Sequence, residues 1–123
     1  MKTNLKFIKE QFKNIVKTYN LKWVSEGEYG IKVENNKVSI IIESERWESG
    51  YILLLFDKIK NKSYLFDEIL IEKEGEYDST DFYLTEEEKI ISENLPQNEE
   101  FDDYNIYLFR IILEKYAVEI LSQ

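Results

Sequence analysis

Histidine and cysteine are both missing from this 123-residue chain. Without cysteine there are no disulfides, thiolate nucleophiles, iron–sulfur clusters or cysteine zinc sites. Without histidine, the side chain that titrates nearest neutral pH is gone. Serine and cysteine triads and the common zinc hydrolase sites go with it. What remains is carboxylate-pair chemistry, lysine or tyrosine catalysis and oxygen-only metal binding. The chain is therefore expected not to be an enzyme and to carry no cofactor. Neither GxGxxG nor GxxxxGKS/T occurs, which excludes nucleotide binding by a glycine-rich loop. Long apolar runs are lacking too. The longest, Tyr51 to Phe56, falls far short of the ~20 residues that cross a bilayer. The opening residues Met1-Lys2-Thr3-Asn4-Leu5 lead into a charged amphipathic segment without the apolar stretch of a signal peptide. A cytoplasmic protein with no membrane partner is expected.

What is present points to a folded domain. Hydrophobic residues make up 43 % of the chain and aromatics 15 %, more than disordered chains carry. One proline, Pro96, and four glycines leave little material for a linker, so residues 1–123 read as a single domain.

The apolar period changes twice along the chain. Leu5, Ile8, Phe12, Ile15, Val16 and Tyr19 recur at helical spacing, which predicts a helix over Asn4–Tyr19. Thr3 or Asn4 supplies its N-cap, and Asn20 stops it. Period two then takes over in Leu21 and Trp23, Ile31 and Val33, and Val38, Ile40 and Ile42. Turns fall at Gly27-Glu28-Tyr29-Gly30 and at Asn35-Asn36. Tyr51 to Phe56 is apolar on both faces, which predicts a central strand covered on both sides. After a turn at Asn61-Lys62, a fifth strand is expected from Tyr64 to Ile71.

Helix returns at Thr85-Glu86-Glu87-Glu88, a capping box, and runs from Glu86 to about Asn94 before Pro96. A last helix opens at Asp102 or Asp103 and continues to about Leu121, apolar over more than half its surface. Short turns favour antiparallel neighbours. The expected fold is α+β: an antiparallel meander of four or five strands, with an N-terminal helix and two C-terminal helices packed on one face.

Charge is unevenly placed. Residues 1–64 hold 12 basic and 8 acidic side chains, a net of +4. Residues 65–103 hold 2 basic and 15 acidic ones, a net of −13, which exceeds the whole-chain −9. Aromatics interrupt those acids at Phe66, Tyr77, Phe82, Tyr83 and Phe101. A purely solvating acidic tract is poor in aromatics, whereas interfaces are rich in them. An interaction surface for a basic protein partner is therefore expected at Glu74, Glu76, Tyr77, Asp78, Asp81 and Tyr83. The same stretch also reads as a solvated face with its aromatics turned inward. Lys2, Lys6, Lys9, Lys13 and Lys17 line one side of the first helix, but a net-negative molecule repels nucleic acid, so no nucleic-acid partner is expected.

Two further constellations deserve chemical scrutiny. Glu43 and Glu45 fall on one side of an extended rim beside Trp47, a spacing open to a carboxylate pair or to a partner contact. Counting a calcium loop from Glu76 puts Asp78, Thr80 and Glu87 in register, but Asp81 stands where glycine belongs. No metal site is expected.

In overall character the chain resembles the immunity proteins of bacterial polymorphic toxin systems. The resemblance lies in the leading helix, the meander with Glu43-Ser44-Glu45-Arg46-Trp47-Glu48-Ser49-Gly50-Tyr51, and the acidic aromatic stretch after Phe66-Asp67-Glu68. It implies a small protein that binds a cognate toxin and blocks it. Two alternatives stay open. One is a phage-encoded inhibitor that mimics nucleic-acid charge, and the other is a carboxylate-based hydrolase or lyase working at the 43–48 rim.

Overall fold

A computed structural model describes residues 4–27, 29–44, 51–65, 68–69, 84–95 and 103–123. Helix begins where the chain offers a cap. The Asn4 side chain accepts from the Phe7 amide at 3.4 Å, and helix α1 runs over Leu5–Thr18. It ends on Asn20, whose φ of 53° is the left-handed geometry that asparagine tolerates. The Leu21 amide then closes back on the Val16 carbonyl at 2.9 Å, which turns the chain directly into the sheet.

Five strands follow: β1 (Lys22–Glu26), β2 (Gly30–Glu34), β3 (Val38–Ser44), β4 (Tyr51–Asp57) and β5 (Lys62–Leu65). They pair antiparallel in the order β1-β2-β3-β4-β5. The β2–β3 turn is built by Asn35, whose side-chain oxygen accepts from the Lys37 and Val38 amides at 2.7 and 2.9 Å. Its NH2 group donates to the Tyr19 carbonyl at 2.9 Å, so one residue closes the hairpin and ties it to the end of α1. Asp57 does the same for the β4–β5 turn by accepting from the Ile59 and Lys60 amides.

Three helices complete the described chain: α2 (Glu86–Glu93), α3 (Asp103–Tyr116) and α4 (Val118–Leu121). The core lies between one face of the sheet and the helices. Ile31, Val33, Ile40, Ile42, Leu53, Leu55 and Tyr64 meet Ile8, Phe12 and Ile15 of α1 and Ile106, Phe109, Ile112 and Leu113 of α3. Phe12 and Phe109 tilt against each other at a centroid distance of 6.1 Å. The starts of α1 and α3 are joined by Asn4, whose NH2 group donates to the buried Asp103 carboxylate at 3.2 Å. The expected α+β meander with helices on one face is the observed architecture.

Three expectations need correction. First, β4 is not central. Sequential pairing of five strands makes β3 the middle strand and places β4 beside the edge strand β5. Its outward side chains Ile52, Leu54 and Phe56 stay partly exposed. Second, β5 stops at Leu65 rather than Ile71, and Glu68 and Ile69 are already helical, with Ile69 buried. Third, the last helix breaks at Ala117. The short α4 then places Ile120 and Leu121 in the core.

Candidate interaction surface

Of the residues singled out as a partner surface, only Glu43 lies among the described ones. It sits exposed on β3 on the sheet face away from the helices, paired with Gly30 and Ile52 on the neighbouring strands. Glu45, Trp47, Glu74, Glu76, Tyr77, Asp78, Asp81 and Tyr83 fall outside the described residues. The acidic 65–103 segment is represented mainly by α2, and there the structure adds something the residue pattern did not suggest.

Helix α2 starts on the expected capping box. The Thr85 hydroxyl accepts from the Glu88 amide at 3.1 Å, and the Glu88 carboxylate accepts from the Thr85 amide at 2.8 Å. Three glutamates in the first turn suit the positive end of the helix dipole. The face this helix turns toward the protein is polar: Glu88 is half-buried, and Ser92, four residues on, is the helix's one buried residue. The opposite face is apolar in part. Ile90 is 58 % exposed and Ile91 46 %. Exposed Glu86, Glu87 and Glu93 lie three or four residues away from one or other isoleucine, and so surround the pair. The helix is mounted polar side in.

Its described attachment runs through Glu88. The Lys115 ammonium of α3 reaches the Glu88 carboxylate at 2.6 Å. Burial pushes that carboxyl up, but the Lys115 ammonium and the Thr85 amide and hydroxyl outweigh it and hold it below its ordinary value. Tyr107 of α3 lies buried within the field of the same carboxylate, with Arg110 over its ring at 5.1 Å. Burial raises the phenol pKa, against the Arg110 charge and with the help of Glu88 and Glu87.

The remaining polar groups are mostly engaged in the fold. On the outer sheet face, Glu34 accepts from the Ser39 hydroxyl at 2.7 Å and pairs with Lys58 at 2.9 Å and Lys32 at 3.5 Å. The Ser39 and Lys58 bonds, against a burial penalty, hold its carboxyl down to about 2. A carboxylate so acidic stays ionised at neutral pH and is a poor proton acceptor, which suits a brace between strands rather than acid–base work. A cleft of about 390 Å³ opens where Thr18, Asn20, Asn35, Asn36, Ser122 and Gln123 meet. Asn35, Ser122 and Gln123 already hydrogen-bond to carbonyls within the fold. On α1, Lys9 pairs with Glu26 at 2.7 Å and lies over Trp23, while Lys6, Lys13 and Lys17 are exposed. No described helix is long and apolar enough to cross a membrane. Among the described residues, no group of three acidic side chains could hold a metal ion.

Ile90 and Ile91 were missed at the sequence level because two adjacent isoleucines in a short helix read as core. Compared with known protein families, characterised proteins and solved structures, the chain matches none.

Proposed function

We propose that this protein acts by binding and blocking another protein, in the manner of an immunity protein facing its toxin, and that α2 forms part of the binding surface. One observation carries the reading: α2 turns Ile90 and Ile91 to solvent inside a ring of carboxylates. Apolar anchors with a charged surround are the usual anatomy of a protein interface. The anchors supply affinity once desolvated, and the rim steers encounter with a partner of opposite charge. The net of −13 over residues 65–103 makes that partner a basic protein.

The test is capture from the source organism with the wild-type protein, followed by kinetics on the captured partner. Ile90→Ala or Ile91→Ala should weaken binding by about 2 kcal/mol, roughly thirtyfold, mostly through faster dissociation. Glu86→Lys with Glu87→Lys and Glu93→Lys should instead slow association and flatten its salt dependence. Expressed alone, the partner should be toxic, and co-expression of this protein should relieve it. Failure to capture a stoichiometric protein removes the binding reading. A harmless partner removes the immunity reading alone.

A further inference from the structure

We propose that Glu88 is a latch: a single carboxylate closes the start of α2 and fastens the helix to α3, so that α2 detaches as a unit while the sheet, α1 and α3 stay folded. The inference rests on the reading of α2 as a binding surface and concerns how that surface is presented. Geometry carries it. The same oxygen of Glu88 accepts from the Thr85 amide at 2.8 Å and from the Lys115 ammonium at 2.6 Å. The buried Ser92 adds nothing polar across the seam, because its hydroxyl donates to Lys89 of its own helix. The isoleucines that would normally pin such a helix point away from the body. Eight residues are too few to hold helical structure unaided. Removing the Glu88 charge therefore weakens the cap and the fastening together.

The groups facing Glu88 from α3 are the Lys115 ammonium and the Tyr107 phenol, with Arg110 beyond it. From its own segment it is Thr85, while the charge of Glu87 acts beside that of Glu88 on the Tyr107 phenol. Protonating Glu88 removes this counterion from the Lys115 ammonium. The folded pKa of Glu88 lies below its ordinary value. The fastening is thus complete at neutral pH and is lost as pH falls below the ordinary carboxylate range, through the depressed folded value. A partner at neutral pH meets a preformed helix, and acid withdraws it.

Residue-resolved amide hydrogen exchange on the protein alone tests this, with protection factors compared from neutral pH down to about pH 2.5, below the ordinary carboxylate range. Glu88→Gln keeps the capping pattern and removes the charge, Glu88→Ala removes both, and Lys115→Met removes the fastening while leaving the capping box in place. At neutral pH, α2 should lose about tenfold or more of its protection in each variant, most in Glu88→Ala. Protection in α1, β3 and α3 should stay at the wild-type level. Acid should lower α2 protection in the wild type and leave Glu88→Gln unchanged. Equal α2 protection in wild type and all three variants overturns the latch, and so does loss of α2 only together with the core. No partner enters the measurement, so this result and a failed capture are independent of each other.

Discussion

Helix α1 turns Ile8, Phe12 and Ile15 inward and leaves Lys6, Lys13 and Lys17 in water, whereas α2 turns Glu88 and Ser92 inward and leaves Ile90 and Ile91 in water. Both helices are amphipathic, and they are mounted in opposite senses. Full burial of an isoleucine side chain is worth about 1.5–3 kcal/mol, so the arrangement of α2 leaves a substantial favourable term unused. Folding has no need of it, because the sheet already has α1 and α3 over its inner face. On the binding reading proposed above, a partner that covered the pair would recover that term as affinity. The difference therefore separates a stabilising region, made of the sheet with α1 and α3, from a presenting region, made of α2 on its polar mount.

The largest expected effect puts that separation at risk. Phe109 is fully buried against Phe12, and Phe109→Ala should cost about 3–5 kcal/mol of unfolding free energy. Ile90→Asp combined with Ile91→Asp should change the same quantity by only about 0.5 kcal/mol per site, since both residues are about half exposed and neither belongs to the core. Urea denaturation of the two variants decides it. A double variant as unstable as Phe109→Ala would place α2 within the core and end the comparison.

A smaller effect sharpens it from the other side. Asp57 is the reverse of Ile90: a polar side chain that the body buries completely, at 0 % exposure. One carboxylate oxygen accepts two turn amides, and the other has no hydrogen-bond partner among the described residues. Asp57→Ala leaves the Ile59 and Lys60 amides without their acceptor and should cost about 1–3 kcal/mol. Asp57→Asn keeps the acceptor and should lose less, as equilibrium denaturation can show. An alanine variant as stable as wild type would mean that this turn is held by something other than Asp57.

Much of the stabilising region was legible in the sequence, and little of the presenting one. Period-two runs located four strands, and Asn20 and Asn35 marked their turns because each does a job few residues can do. The Thr85–Glu88 capping box was equally readable. Tyr51–Phe56 misled because apolar residues on both faces signal burial on both faces, and here the outer face is only partly covered. The stretch after Leu65 was read as strand because a short apolar run fits either period, and Ile69 is buried through a helical turn instead. No glycine or proline announces the break at Ala117, after which Ile120 and Leu121 join the core. The orientation of α2 was hidden for a related reason: packing decides which face of an eight-residue helix turns inward, and its own pattern does not.

The smallest expected effect compares two carboxylates. Glu34 braces the sheet and Glu88 fastens α2, and both titrate below their ordinary value. Glu34, at about 2 instead of 4.5, contributes stability that is complete above its ordinary pKa. That contribution is lost progressively as pH falls from there through the folded value. Solvent at the sheet surface screens the Lys58 and Lys32 pairs, so the size should be about 1 kcal/mol. Unfolding free energies measured against pH for wild type and Glu34→Gln should differ by that amount near neutrality and converge in acid. Because Glu34 joins β2 to Ser39 and Lys58, its loss lowers global stability and should leave α2 exchange relative to the core as in wild type. Glu88→Gln should do the opposite, with a local loss in α2 and an unchanged global curve. If each variant instead moves both readouts, the two regions share one unfolding unit, and α2 is no more free to be presented than α1.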